Sequence, residues 1–335
     1  MIKSVTVTNH LGESLKMDLF DPEKSGILIS SITGIGAPDS DINRTDYAIA
    51  DGSYFSSARA NYRTINMTVR PLWTDTQSVE TSRQLTYRYF PMKHNIKLQF
   101  ETDNHTLEID GYVKKNEPTI FSKDETIILM IECMNPWFYL IGGANSVVFS
   151  GVQPCFEFPF CNNKTENGTE TIEHVEYDEF GRVIRRWTEV VEIPDSKGLL
   201  KMGEIKKEKS QVVTYNGEIE VGFEITIEAT ADGVTNILIW KQETSEFIRI
   251  DTSKIASITG SAFAKGDMIV ISTVSGDRRV QIIRGNGATN IIGAFDLNSS
   301  WIQLTSGANT FWYTADAGED DMLFKMDYRT AYQGV

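Results

Sequence analysis

The stretch GIGAPDSDI at residues 34–42 combines two closely spaced glycines with acidic residues, and glycine-rich loops of this kind can hold phosphate groups. A dinucleotide fingerprint requires G-x-G-x-x-G between a strand and a helix whose N-terminal amides bind the phosphates. Gly34 and Gly36 are followed by no third glycine, no helix pattern and no Walker lysine, and Asp39 and Asp41 would repel a phosphate. We therefore expect this stretch to turn the chain without binding a nucleotide.

The other residue types that support catalysis are sparse and are not spaced like a site. Cys133 lies in an apolar run, which predicts an inert core thiol, and the serines include no G-x-S-x-G elbow. The acidic run ADAGEDDM at 315–322 does not match an EF-hand loop and predicts a solvated turn. The four histidines show no metal-ligand spacing, although His94 and His105 flank one predicted hairpin. These are His10, His94, His105 and His174.

This inventory predicts no catalytic residue, no metal site and no cofactor. Carboxylate pairs of the kind that hydrolyse glycosides stay open as an alternative, because such pairs meet in space and leave no mark in sequence spacing.

Aromatic residues near the end of the chain point to ligand binding and not to catalysis. In SSWIQLTSGANTFWYTAD, strand alternation sends either Phe311 and Tyr313 or Trp312 to the exposed side of a sheet. An exposed indole can stack on a sugar ring, whereas a covered one packs in a core or an interface. Trp301 and Trp312 are therefore the candidate sugar contacts.

A charged hairpin within residues 163–205 is the candidate interface. In TIEHVEYDEFGRVIRRWTEVVEI, the turn Glu179-Phe180-Gly181 joins an acidic strand, with Glu176, to a basic one. A two-stranded ribbon is only marginally stable alone, so we expect it to dock on its own domain or on a neighbouring subunit. The candidate interface residues are Tyr177, Asp178, Phe180, Arg182, Arg185 and Arg186.

These residues are carried by a chain that is mainly β in its pattern. Ile96, Leu98 and Phe100 alternate with polar residues, and FEITIE at 223–228 alternates in the same way. Turn pairs such as Asp110-Gly111 and Asn216-Gly217 separate the segments. Short strands at this spacing predict sandwiches or barrels. Further strands are predicted at 2–8, 107–113, 126–133, 247–251, 268–273 and 279–283.

One helix is predicted at 76–90, capped by Asp75 or Thr76 and ended by Pro91. A helix on an antiparallel sheet is an α+β arrangement, followed here by segments that nearly all have strand patterns. The flexible sequence Gly142-Gly143 marks a boundary, so we predict an N-terminal domain at 1–140 and a β-sandwich at 141–335.

The composition excludes several classes of partner. The chain has 335 residues with 32 basic and 46 acidic side chains, a net charge of −14, which repels nucleic acid and anionic membranes. Three cysteines without C-x-x-C spacing favour neither a disulfide framework nor a zinc knuckle. The first residues, MIKSVTVTNH, lack the apolar region of a secretory signal, and no apolar run is long enough to span a membrane. We expect a protein made in a cytosol.

The order of several motifs resembles the distal tail (Dit-like) protein family of long-tailed, siphovirus-type bacteriophages. The N-terminal part has R-x-I-x-M from Arg63, the helix ETSRQLTYRYF, HTLEIDGYVKKNEPTIFSKDE and MIECMNPWFY. The C-terminal part has NGEIEVGFEITI, EFIRIDTSK, KGDMIVIST, IQLTSGANTFWY and DYRTAYQGV. Similar subunits occur in prophages and in tail-like bacteriocins.

The resemblance implies a hexameric ring at the tip or baseplate of the tail. A tail-tube-like split barrel with one helix would build the ring, and a galectin-like β-sandwich would project from it. The implied partners are the tail tube protein and tail-fibre or receptor-binding proteins, with DNA passing through unbound and no membrane insertion. The implied location is the virion, with assembly in the host cytoplasm. A carbohydrate-binding module for the host wall is the alternative, although the galectin motif H-x-N-x-R is missing from the sequence.

Overall fold

The structure is a computed structural model that describes residues 1–75, 77–122, 124–153, 168–177, 183–193, 204–207 and 209–335. Its strands and helices confirm the predicted mainly β fold. The first half contains β1 (Ile2–Thr8), β2 (Ser14–Asp18), β3 (Ile27–Thr33), β4 (Ser40–Asp46), β5 (Ser53–Ala60), β6 (Arg63–Pro71), α1 (Val79–Tyr89), β7 (Asn95–Thr102), β8 (Thr106–Pro118), β9 (Ile127–Cys133) and β10 (Phe138–Gln153). The second half contains β11 (Gly168–Tyr177), β12 (Val183–Ile193), β13 (Glu204–Lys207), β14 (Ser210–Tyr215), β15 (Phe223–Ala229), β16 (Thr235–Lys241), β17 (Glu246–Ile250), α2 (Thr252–Thr259), β18 (Met268–Ser272), β19 (Arg279–Arg284), β20 (Gly287–Asn290), β21 (Gly307–Ala317) and β22 (Met322–Tyr332).

The N-terminal part is built around the long strand β8. On one side the strand order is β2-β1-β7-β8, and on the other β8 pairs with β9, which continues to β6 and β3. Ile96, Leu98 and Phe100 of β7 are buried, so the predicted alternation is confirmed. At Gly111 a Cβ atom would lie 2.6 Å from the Ile131 side chain, so this position of β8 requires glycine.

Helix α1 lies where a helix was predicted, but the predicted cap is wrong. The backbones of Thr74 and Gln77 bond each other ahead of the helix, so the helix begins later. The Ser78 hydroxyl accepts a hydrogen bond from the Thr81 amide at 3.2 Å and caps the helix. Phe90 closes the helix just before Pro91, as predicted.

The C-terminal part is a sandwich of two antiparallel sheets. One layer is the β22-β15-β18-β19-β20 end of a 14-stranded sheet that continues through β10 and β8 into the N-terminal part, and the other is the sheet β14-β21-β16-β17. Between them, the rings of Phe223 and Phe311 meet edge to face at 5.5 Å, and those of Tyr313 and Phe324 stack at 4.1 Å. Helix α2 was not predicted; it begins at the Asp251 cap, and Gly260 ends it with a positive φ of 81°.

The chain divides into two compact units, one of residues 1–148 with 209–335 and one of 149–208. In the second unit β11 and β12 pair in antiparallel fashion, and Glu176 lies opposite Arg185 as the charged hairpin predicted. The predicted turn between these strands lies outside the described residues. The predicted domain boundary after residue 140 stays a prediction.

Candidate functional site

The glycine-rich loop surrounds a buried arginine. Arg63, at the start of β6, donates from Nε to the Pro136 carbonyl and from Nη1 to the Gly34 carbonyl, both at 2.8 Å. It also bonds the carbonyls of Gly36 and Gln333. The loop therefore offers carbonyl oxygens to a cation, which is the reverse of the amide donors that bind phosphate.

Gly34 is required for this geometry. Its φ is +82°, and a Cβ atom would lie 2.0 Å from the Thr64 carbonyl oxygen. The guanidinium also lies 4.5 Å from the centroid of the Phe138 ring, a cation–π contact. The loop thus serves the packing of the N-terminal part.

Cys133 is fully buried at the end of β9, and burial raises the pKa of its thiol to about 12. The thiolate is the reactive form of cysteine, so we expect this residue to be inert at neutral pH. The predicted core position of Cys133 is confirmed, and its lack of reactivity stays a prediction. Cys155 and Cys161 lie outside the described residues.

We expect Cys133 to resist a thiol reagent in the folded protein. A C155S/C161S double variant, which keeps Cys133 alone, should release no thionitrobenzoate from Ellman's reagent at pH 8. In guanidinium chloride the same variant should release one equivalent, which is the internal control. Rapid labelling of the folded variant would contradict the burial of Cys133.

Histidines and acidic residues form no metal centre in the part of the chain that the structure describes. No group of three or more His, Cys, Asp and Glu side chains is arranged there to hold an ion. His94 stacks on His10 with ring centroids 3.9 Å apart, whereas His105 stacks on Tyr332 at 5.5 Å. The flanking position of His94 and His105 therefore does not bring the two rings together.

Neither described helix is long and apolar enough to cross a membrane.

A cavity of about 550 Å³ lies beside helix α1. The charged side chains at its wall are paired, because Lys114 bonds Glu132 at 2.5 Å and Lys115 bonds Glu117. The bond to Glu132 raises the pKa of Lys114, so this lysine stays protonated and cannot serve as a base. The cavity therefore offers no catalytic group. Its lining residues are Tyr87, Phe90, Met92, Lys114, Lys115, Asn116 and Glu117.

The hairpin of β4 and β5 is a first candidate surface, and it was not predicted from the sequence. Its two strands form a separate two-stranded sheet in which every residue is exposed. Tyr54 and Phe55 expose 64% and 59% of their surface, and Ile42 is exposed on the opposite strand. Tyr54 and Phe55 point to opposite faces of the ribbon, so each face presents an exposed aromatic side chain, and exposed apolar surface of this kind marks sites that contact other molecules. We name this ribbon, residues 40–60, the exposed hairpin.

A second candidate surface lies on the outer face of the sandwich. Trp240 of β16 lies directly opposite Trp312 of β21, with ring centroids 6.4 Å apart and ring planes at 26°. The two indoles expose 43% and 41% of their surface and border a cavity of about 240 Å³. We name them the tryptophan pair. The residues that line the cavity are Lys209, Leu238, Trp240, Trp312, Tyr313, Thr314 and Glu319.

The structure places the two predicted sugar contacts, Trp301 and Trp312, in different surroundings. Trp312 faces outward, as a sugar contact requires. Trp301 is covered, because its ring stacks on Phe295 at 4.6 Å and lies under the guanidinium of Arg278. The indole next to Trp312 is that of Trp240. Trp240 was not among the residues predicted from the sequence. The alternation of β16 could have indicated it, because Ile237 and Ile239 are buried on the inner face and Trp240 therefore lies on the outer face.

The predicted interface residues of the charged hairpin remain a prediction. Tyr177 lies at the end of β11, and Arg185 and Arg186 lie in β12. Asp178, Phe180 and Arg182 lie outside the described residues.

Comparisons with known proteins find similarity to phage tail components. Residues 216–332 match the family model SPP1_Dit, the C-terminal domain of a siphovirus-type tail component. The crystal structure of Dit from phage SPP1, described as a paradigm of the hub adsorption apparatus in Gram-positive infecting phages, is similar over 97% of this chain and 98% of that chain, with a TM-score of 0.55 and 12% identity. A chain of the phage P2 baseplate, in its activated conformation with Ca, is similar over 98% of both chains, with a TM-score of 0.43 and 12% identity. A search of curated proteins finds no match.

The fold is therefore similar to that of SPP1 Dit, and residues 216–332 resemble the C-terminal domain of a siphovirus-type tail component. The resemblance to distal tail proteins inferred from the motifs is confirmed.

Proposed function

We propose that this protein is a structural component of a bacteriophage tail tip or baseplate, in which six copies form a closed ring. The ring joins the tail tube protein to the tail-fibre or receptor-binding proteins and leaves a channel for DNA. The family match over residues 216–332 and the fold similarity to SPP1 Dit support this role. The protein works in the virion, is assembled in the host cytoplasm and has no enzymatic activity.

The exposed hairpin is the observation that carries the proposal. A two-stranded ribbon without a packed face is marginally stable in water, and this ribbon presents aromatic side chains to solvent. A neighbouring copy that covers it would remove this apolar surface from water. When the same head-to-tail contact is repeated from copy to copy, the copies form a closed ring if the rotation between neighbours is an even fraction of a full turn.

The net charge supports the passage of DNA without binding. At −14 the protein repels the phosphate backbone, so a channel through a ring of such subunits would not retain DNA.

The test is the state of assembly of the purified protein. We expect size-exclusion chromatography with light scattering to give six times the chain mass of 37.7 kDa. Negative-stain images should show rings with six-fold symmetry and a central hole. A monomer at the highest soluble concentration, without rings on the grid, would overturn the proposal.

A further inference from the structure

The tryptophan pair is held rigidly on the outer face of its sheet. Strand alternation buries Phe311 and Tyr313 on the inner side, so Trp312 has to face solvent. Next to Trp240, the buried Lys241 donates from Nζ to the Gln303 carbonyl at 2.8 Å and to the Thr305 hydroxyl at 3.3 Å. This anchor fixes β16 beneath its indole. The pair therefore forms a preformed aromatic platform.

Polar groups surround this platform. At the rim of the cavity, Lys209 Nζ bonds Glu319 Oε2 at 2.5 Å, and this bond lowers the pKa of Glu319, which stays an acceptor at neutral pH. At the other end, Trp312 Nε1 donates to Gln242 Oε1 at 3.3 Å. The hydroxyl side chain of Thr314 lies on the same face as Trp312, two residues along β21. An apolar floor with a hydrogen-bonding rim is the arrangement that small-ligand sites show.

We propose that the tryptophan pair binds one unit of a neutral saccharide. A sugar ring has an apolar face of C–H groups and an edge of hydroxyls, and the site offers an aromatic surface for the first and donors and acceptors for the second. The cavity of about 240 Å³ lies just below the range of roughly 300–1,000 Å³ for drug-sized ligands, so it suits a single ring. This function is separate from ring assembly and does not depend on it.

Charge selects a neutral ligand over an anionic one. Among the described residues that line the cavity the lysine is Lys209, which is already paired with Glu319 and lies 3.9 Å from Asp320. Glu243 lies close by, where its carboxylate accepts the Thr310 amide at 2.7 Å. An acidic polysaccharide or a nucleic acid would be repelled by these carboxylates, and the described lining offers it no unpaired lysine. Stacking of nucleobases, which also uses aromatic platforms, is disfavoured for the same reason.

A protein partner fits this surface less well. The outer face around the indoles carries the hydroxyl side chains of Ser210, Thr310 and Thr314, which lie on the same side of the sheet by register. A stable protein interface takes roughly 20–30 residues a side with an apolar centre, and this face offers a small apolar area inside a polar rim.

The experiment compares glycan binding by the intact protein and its variants. The probe is an array of neutral hexose and N-acetylhexosamine oligosaccharides, printed beside uronic-acid and phosphate-bearing polymers and oligodeoxythymidine. We expect binding to neutral oligosaccharides, and roughly tenfold weaker binding for Trp240→Ala and for Trp312→Ala, because each removes one stacking surface. Trp73→Ala is the matched control, since Trp73 is 70% exposed and lies outside the cavity lining.

A third variant, Lys209→Ala, keeps the test valid if a tryptophan variant fails to fold, because it changes an exposed side chain. It should weaken binding several-fold, because the site loses a hydrogen-bond donor. Melting curves by circular dichroism identify the folded variants. Absence of binding to every neutral oligosaccharide, preference for the anionic probes, or binding that survives in the folded tryptophan and lysine variants would overturn the proposal. Ring formation in the same preparations is measured separately and does not affect it.

Discussion

Replacing Arg63 with alanine is expected to lower the free energy of unfolding by about 2–4 kcal/mol, because the fold loses the charged donor of several hydrogen bonds, each of which contributes about 1.5–3 kcal/mol. The guanidinium bonds carbonyls at Gly34, Gly36, Pro136 and Gln333, which belong to three separate parts of the chain. The residues that carry these carbonyls are exposed or half-buried, so water replaces part of the lost hydrogen bonding and the losses do not add in full. The cation–π contact with Phe138 is lost as well.

Two further variants show that position, and not charge alone, causes the effect. Arg63→Lys keeps the charge, but its ammonium is a compact donor that cannot reach the carbonyls which the planar guanidinium spans, so we expect an intermediate loss. Arg70→Ala changes an exposed residue of the same strand, paired with Asp124 at 2.8 Å. Surface pairs contribute about 0–1 kcal/mol, so this control should change stability little.

Urea denaturation followed by circular dichroism gives the three values. A loss for Arg63→Ala no larger than that for Arg70→Ala would show that the loop carbonyls are satisfied without the guanidinium. The conclusion that this arginine holds the glycine loop would then be wrong.

Strands with one buried face were predictable from the sequence because their signal is local. In β7 and β15 the alternation of apolar and polar residues needs only neighbours two positions apart, and both strands pair as that pattern requires. The cap of α1 was wrong because the short turn at Thr74 and Gln77 moved the start of the helix to Ser78. A local pattern did not reveal which of several polar residues would cap it.

The exposed hairpin and helix α2 were not predicted, for different reasons. In β4 and β5 neither face packs on a core, so no alternation of burial exists to be seen. In α2 the flanking signals Asp251 and Gly260 are present, but the β-branched residues between them resemble a strand. The burial of the Ile255 side chain in the sandwich core stabilises this segment as a helix.

The candidate sites depend on contacts between distant segments. Trp240 and Trp312 meet because β16 and β21 pair in one register, and a shift of one residue would send one indole to the opposite face. The acceptors of Arg63 come from loops that only the folded chain brings together. The residue type therefore indicated Trp312, while its neighbour Trp240 and the role of Arg63 required the structure.

Substituting Tyr54 and Phe55 together with serine is expected to abolish the ring and leave a folded monomer. Adjacent residues of a strand point to opposite faces, so the double change removes an aromatic group from both faces of the exposed hairpin. Full burial of one such side chain contributes about 1.5–3 kcal/mol, and the loss recurs at each contact around a ring. Because both residues are exposed in the single chain, the fold itself should be unaffected.

The matched control is Leu297→Ser, which removes a fully exposed apolar side chain of the sandwich and should leave the ring intact. Light scattering coupled to size exclusion measures the mass of both variants, and melting curves establish that both are folded. If the Y54S/F55S protein still eluted as a ring, the ribbon would not be the contact between copies. The contact would then have to lie elsewhere, and the charged hairpin with Tyr177, Arg185 and Arg186 would be the next surface to substitute, since the sequence predicts that it docks on its own domain or on a neighbouring subunit.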